Sequence, residues 1–407
     1  MMLLLATGQA GGQETIRVSG KITDRETHKP LPFAQISLKN TALGTASNED
    51  GNFSLSYPVL AGNDTLSIFY LGYKTATVPL NKRDTALLVI ELIPSALQLS
   101  EVEIVGLDPK EVIRRAVERI PENYGKDSVL LTAFVRVRKM LNNRQAEFAE
   151  AVIEDLKDGY YHHPGSAREQ DEKWEKSNIP LLIKGRVNSD TNIVNALADI
   201  GKNATCLSCY FKEDLVEFYP RTILDEKEFG NYDFKMEELS GTEGGKIFHI
   251  YFDQKPGLHK TLWKGELYIE SGSYAIEKIL LKPSLNGYET YEKRKQNKVY
   301  TLLNKDGWIC EMPLGQTLVN YSSRGGTWAL HSIRNEFWYT FTNLQTGQKA
   351  KYTYKSEVVV TDISRDPATI RSYSGDKTAG SGKRWDQIAG PPDVSFWAHY
   401  NYLPPEP

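Results

Sequence analysis

Three cysteines, seven histidines and a scatter of carboxylates are what any chemistry in this chain of 407 residues would rest on. Cys206 and Cys209 form a Cys-x-x-Cys inside Ala204-Thr205-Cys206-Leu207-Ser208-Cys209-Tyr210, and Cys310 stands by itself. A redox role wants such a pair opening a helix after a strand, and a structural zinc wants a second pair or two spaced histidines. Neither setting surrounds them, so they read as inert thiols or a local disulfide. The histidines, at positions 28, 162, 163, 249, 259, 331 and 399, contain no His-x-x-Glu and no His-Glu-x-x-His, which removes the zinc exopeptidase ligand sets. His162-His163 lies near Asp155 and Asp158, but Pro164-Gly165 marks a solvated turn there, and no metal is assigned.

Glu147, Glu150, Glu154 and Asp155 could host acid-base chemistry, yet polar residues on the wet face of a strand look the same in sequence. No Gly-x-Ser-x-Gly elbow and no Gly-x-Gly-x-x-Gly occurs. The Gly/Ser-rich stretch ending Gly380-Ser381-Gly382-Lys383 fails as a phosphate loop, because Lys377 and Arg384 occupy positions that need Gly and Ser or Thr. The chain therefore reads as a non-enzyme with no assigned catalytic residue, cofactor or metal. Trp308, Trp328 and Trp338 remain as candidate ligand contacts, able to stack on sugar rings or line an apolar pocket.

Composition limits the partners. Lys and Arg number 49 against 52 Asp and Glu, a net charge of −3 with the signs interspersed, so the broad positive field that nucleic acid needs is missing. No run approaches the ~18–20 apolar residues of a membrane helix. With 22 Tyr, 14 Phe and 7 Trp, the chain favours β structure. Residues 1–14, a short apolar run followed by small residues, read as the remnant of an export signal.

From Thr15 the pattern becomes short alternating runs between turns: Ile16, Val18 and Ile22; Ala34, Ile36 and Leu38; Phe53 and Leu55; Leu66, Ile68 and Tyr70; Leu88, Ile90 and Leu92. About seven strands over residues 15–105 predict an antiparallel sandwich. Gly51 and Gly72 fall where tight turns need no Cβ, and Asp50 is expected to close an Asx turn. The order Val18-Ser19-Gly20-Lys21-Ile22-Thr23-Asp24, Pro30-Leu31-Pro32-Phe33-Ala34, Gly44 through Phe53, and Phe69-Tyr70-Leu71-Gly72-Tyr73-Lys74 resembles the carboxypeptidase-regulatory-like domain. That resemblance implies a transthyretin-like β-sandwich, abundant in exported proteins of Bacteroidetes-type bacteria, and no catalysis.

A second domain is expected over residues 108–407, joined near Gly106-Leu107. Asp108-Pro109-Lys110-Glu111 predicts a capped helix stopped by Pro121. Hairpins around Asn142-Asn143 and Ser271-Gly272-Ser273, with further strands at 247–252, 329–339 and 352–363, predict a large curved antiparallel sheet. A weaker helix over 188–200 is expected to turn Val194, Leu197 and Ala198 to that sheet, and residues 364–384 to be mobile. The order of these pieces is similar to the uncharacterised domain that follows the regulatory-like domain in such bacteria. The fold class is mainly β, with an α+β second domain.

Three functions follow as expectations. The first is a non-catalytic exported binding or assembly module of the cell envelope, periplasmic or at the outer membrane, accessory to nutrient uptake, with an envelope protein or a glycan as partner. The second is a carrier of a lipid or other apolar ligand in a half-barrel sheet, and the third a hydrolase with a dispersed site. A TonB-dependent transporter is not expected, because ~300 remaining residues do not supply a plug and a 22-stranded barrel.

Overall fold

The computed structural model describes residues 15–58, 64–80, 87–95, 106–160, 180–199, 207–217, 222–240, 245–258, 260–287, 307–311, 313–324, 326–374, 384–391, 393–400 and 404. The signal-like residues 1–14, His162-His163, Cys206, His259 and residues 375–383 lie outside them.

The alternating N-terminal runs become β1 (Thr15–Asp24), β2 (Gln35–Leu38), β3 (Gly44–Ala46), β4 (Asn52–Pro58), β5 (Thr65–Phe69), β6 (Ala76–Pro79) and β7 (Leu88–Leu92). They form two sheets, β4-β1-β7 and β3-β2-β5-β6. Between them Val18, Ile22, Ile36, Phe53, Leu55 and Ile68 make one core, as period-2 patterning requires when each sheet buries one face. One local expectation fails. Asn48, not Asp50, closes the turn before β4: its Oδ1 accepts from the amides of Asp50 at 3.0 Å and Asn52 at 2.9 Å. An Asx side chain reaches backbone two residues ahead, so the closing group must precede the turn. Gly51 holds φ 76° there, and a Cβ would meet the Ile22 carbonyl oxygen at 2.3 Å.

The first helix, α1 (Pro109–Glu118), starts as expected, with the Asp108 side chain accepting from the Lys110 amide at 3.0 Å. Glu111 does not complete a capping box, because Arg114 and Arg115 take its carboxylate. Pro121 does not end the helix; it sits in the first turn of α2 (Ile120–Tyr124), where a missing N–H costs nothing. Then come β8 (Val129–Leu141), β9 (Arg144–Lys157), β10 (Leu181–Ser189), α3 (Thr191–Asp199), β11 (Tyr232–Ser240), β12 (Lys246–Gln254), β13 (Trp263–Glu270) and β14 (Ile276–Pro283). The chain continues through β15 (Trp308–Cys310), β16 (Leu314–Arg324), β17 (Thr327–Asn343) and β18 (Lys349–Ser364), then α4 (Pro367–Ser372), α5 (Trp385–Ile388) and α6 (Val394–His399). On α3, Ile193, Val194 and Leu197 are buried against Trp308, Phe341 and Tyr352, while Ala198 is exposed, so the helix is rotated from its expected phase. Among the described residues no helix is long and apolar enough to cross a membrane.

All of β8–β18 belong to one antiparallel sheet of eleven strands, ordered β10-β9-β8-β18-β17-β16-β14-β13-β12-β11, with β15 against β17. One face is packed with side chains: α1, α2 and residues 207–217 and 222–229 lie on Val135, Ile153, Leu267, Ile333 and Val358. An ion cluster centred on the fully buried Lys157 and Asp214 ties residues 207–217 to this face. Lys157 Nζ lies 3.0 Å from Asp214 Oδ2 and pairs with Glu217, while Tyr160 and Tyr321 donate to Asp214 at 3.1 and 2.9 Å. Burial alone would lower the Lys157 pKa, but Asp214 and Glu217 hold it well above its ordinary value. Removing one charge of such a group leaves the others buried and uncompensated. Lys157→Met is therefore expected to destabilise the protein by about 3–5 kcal/mol in urea unfolding; a loss under about 1 kcal/mol would remove the cluster from the list of what holds this face together.

Candidate binding site between the two units

The opposite face of the large sheet carries charge. Across neighbouring strands, Arg186 of β10, Glu150 of β9, Arg136 of β8, Glu357 of β18 and Arg334 of β17 stand opposite one another in register. Glu150 accepts from Arg186 Nε at 2.6 Å and from Arg136 Nε at 2.9 Å, and Arg136 Nη1 lies 3.5 Å from Glu357. The N-terminal unit docks on this row. Arg334 pairs with Glu49 and lies 4.4 Å from the Phe33 ring centroid, and Ala46 packs with Phe134, Val152 and Val359. On α6, Trp397 joins that cluster and takes Arg186 over its ring at 4.4 Å.

Beside this contact the units enclose a cavity of about 540 Å³, walled by Gln35, Ser37, Ser67 and Phe69 of β2 and β5 and by Glu270, Glu277, Trp328 and His331 of the large sheet. Gln35 Nε2 donates to the Tyr321 carbonyl oxygen at 3.2 Å, joining the units at the cavity wall. Two irregularities supply the ionisable residues. In β14, Lys278 faces Tyr268 and Ile276 faces Ile269, so Glu277 is the extra residue of a bulge. In β17, Ser332 faces Asn320 and Leu330 faces Tyr321, so His331 is extra in the same way. A bulge re-aims one side chain without changing the sheet around it, and here both bulges serve one cavity.

The two carboxylates differ. Glu270 accepts from the Gly272 and Ser273 amides at 2.8 and 2.6 Å and from the Ser273 hydroxyl at 2.6 Å. Burial works against its charge, but these donors leave its pKa below the ordinary value. Glu277 is 8% exposed and its Oε2 has no hydrogen-bond partner. Burial first, and Glu270 second, raise its carboxyl to about 7. The cavity thus holds one fixed anion beside an acid poised to ionise near neutrality.

Of the three tryptophans, Trp328 alone lines this cavity. Trp308 is buried in the core under α3, and Trp338 is 46% exposed further along the strand that carries Trp328, roughly 33 Å away at the rise of an extended chain. The acidic residues of β9 are not on a wet face. Glu147 is buried and 2.9 Å from Lys139, Glu150 belongs to the charged row, and burial raises Glu154. Among the described residues no group of three His, Cys, Asp or Glu is placed to hold a metal. His249 faces Glu237 and Glu266 at 3.0 Å from either ring nitrogen and lies between Tyr251 and Tyr268, a cross-strand cluster with both nitrogens already engaged. Cys209 is disulfide-bonded, and the Cys310 thiol donates to the Glu311 carbonyl oxygen at 3.1 Å. Residues 367–372 of the segment expected to be mobile form α4. Glu277 and His331 escaped the sequence reading, although buried Ile276 and Ile279, and Leu330 and Ile333, stand three apart where a regular strand gives two.

Residues 18–104 match the CarboxypepD_reg-like domain, so the N-terminal unit is of that type. The chain is similar to the TonB-dependent receptor P3 of Formosa agariphila, 32% identical over 106 residues, which cover 26% of this chain and 10% of that protein. The chain thus spans about a tenth of that relative. Among solved structures, a DUF1329 family protein from Desulfovibrio piger aligns with 64% of this chain and 92% of its own at 10% identity and a TM-score of 0.24. Lipovitellin aligns with 67% of this chain and 28% of its own at 10% identity and a TM-score of 0.21. Scores that low do not define a common fold.

A carboxyl whose pKa is higher folded than unfolded binds more protons in the folded state, so its contribution to stability falls as pH rises through that window. For Glu277 the window runs from 4.5, its ordinary value, to about 7. Glu277→Gln is expected to be near neutral at pH 4.5 and stabilising at pH 8, by on the order of 3 kcal/mol in urea unfolding. Equal effects at both pH values would show that folding does not raise the Glu277 pKa.

Proposed function

We propose that this chain is an exported, non-catalytic binding protein of the bacterial envelope, with its ligand held in the cavity between the two units. The observation that carries this reading is the convergence of two bulged residues, Glu277 and His331, with Trp328 on a cavity whose other wall is the regulatory-like unit. At about 540 Å³ the cavity has the size of a small-molecule site. Binding rather than turnover fits Glu270, whose oxygens are engaged by its own turn. The envelope location is supported by the domain type at residues 18–104, by the likeness to a TonB-dependent receptor, and by the disulfide at Cys209, a bond that persists in oxidising compartments. The same likeness supports a role beside uptake receptors, with such a receptor as partner. A lipid carrier is favoured less, because the helix-covered face of the sheet is filled by Tyr124, Phe211 and Trp385.

Fractionation of the bacterium that encodes the chain is expected to recover it with the periplasm and outer membrane; recovery in the cytosol overturns the export reading. Native mass spectrometry of the protein purified from that fraction is expected to find a small molecule on the wild type and none on Trp328→Ala. A wild type without any ligand, or a variant that keeps it, counts against the cavity.

A further inference from the structure

Resting on that reading, we propose that the ligand is a small polyhydroxylated compound with a free ammonium group, of the amino-sugar type, its ammonium between Glu277 and Glu270 and its ring on Trp328.

The charge of the wall argues for a cation. Among the described residues that line the cavity are two glutamates and a histidine but no lysine or arginine. Lys278, the next residue on β14, lines a smaller neighbouring pocket together with Glu277 rather than this cavity, and its Nζ lies 5.0 Å from the Tyr268 ring centroid. No hydrogen bond satisfies Glu277 among the described residues, although the group is more than nine-tenths buried. A buried carboxyl in that state is costly, and what relieves it is a donor that enters the cavity. An ammonium does so and also offsets the repulsion between Glu277 and Glu270.

The remaining wall argues for hydroxyls on an apolar ring. Ser37, Ser67, Thr75, Ser322 and Gln35 offer neutral donors and acceptors from both units. Trp328, half-buried on the wall, offers the flat face against which the C–H side of a pyranose packs. A lipid would leave these hydroxyls unpaired, and a bare alkylamine would leave them to water.

Binding has a defined proton balance. At pH 6 Glu277 is mostly protonated in the free protein. When the ammonium arrives, Glu277 releases its proton to solvent, the ammonium keeps all of its own, and one carboxylate–ammonium pair forms for each proton released. Glu270, already ionised, His331 and Tyr321, whose hydroxyl donates to Asp214, are the other titratable groups on that wall.

Isothermal titration at pH 6, in two buffers of different ionisation enthalpy, compares D-glucosamine with D-glucose and N-acetyl-D-glucosamine. Glucosamine is expected to bind at least about tenfold tighter than either neutral sugar, the factor a charged hydrogen bond supplies, with release of up to one proton. Glu277→Gln, checked for a single cooperative unfolding transition, is expected to lose that tenfold and the proton release while its weak affinity for glucose stays unchanged. Glucose or N-acetylglucosamine binding as tightly as glucosamine, with sensitivity to Trp328→Ala, overturns the cationic ligand and leaves the cavity reading standing. Failure of all three sugars to bind overturns the ligand class. Glucosamine binding that neither Glu277→Gln nor Trp328→Ala alters overturns both the ligand's position and the cavity reading.

Discussion

The row of alternating charges from Arg186 through Glu150, Arg136 and Glu357 to Arg334 is the constraint on which the rest of the molecule depends. Arg136 and Glu150 are 4% and 2% exposed, so their desolvation is large and their attraction roughly offsets it. What the row supplies is register. Sliding β9, β8 or β18 by two residues would take its charge out of register with both neighbours, and sliding by one would turn that charge into the apolar core. The row also makes the back of the sheet a surface that only a matching partner can cover. Glu49 on the regulatory-like unit is that match, through Arg334 and, at 3.5 Å, Lys355. Once the unit is seated there, the position of the neighbouring cavity follows.

Much of this architecture was legible in the sequence. β2, β5 and β7 alternate in burial along their length, and the apolar residues of β4 alternate in sequence, so the pattern is clean there, and the family likeness of that segment rests on the same turns that set it. In the centre of the large sheet β8, β9 and β18 are buried on both faces. Val358 and Val360 enter the helix-covered core while Val359 meets the first unit, so the segment reads as a continuous apolar run. Edge strands β10 and β11 and the polar strand β16 were not legible: they pair at the margins, or through side chains such as Thr317 and Asn335, whose hydrogen bond of 2.6 Å only the pairing explains.

The site was legible in one residue out of its set. Trp328 drew attention by its type, and the same argument drew it equally to Trp308, which is core, and Trp338, which is surface. Residue type does not distinguish them; pairing does. Glu277 and His331 carried a signal in the three-residue spacing of their apolar neighbours, but a strand template with a fixed period of two treats that spacing as noise. The carboxylates of β9 mislead for the complementary reason, since a buried ion pair and a solvated face produce the same letters.

The bulges at Glu277 and His331 have a bearing on how such a protein can diverge. Loss or gain of one residue inside a strand is ordinarily ruinous, because everything beyond it changes sides. At a bulge the extra residue already has no partner across the ladder, so the flanking pairs keep their places when its identity changes. Two positions can therefore vary in charge and size while eleven strands stay in step. Descendants of one fold could come to hold different molecules between the same two units, with the architecture conserved and the selectivity rewritten at two sites.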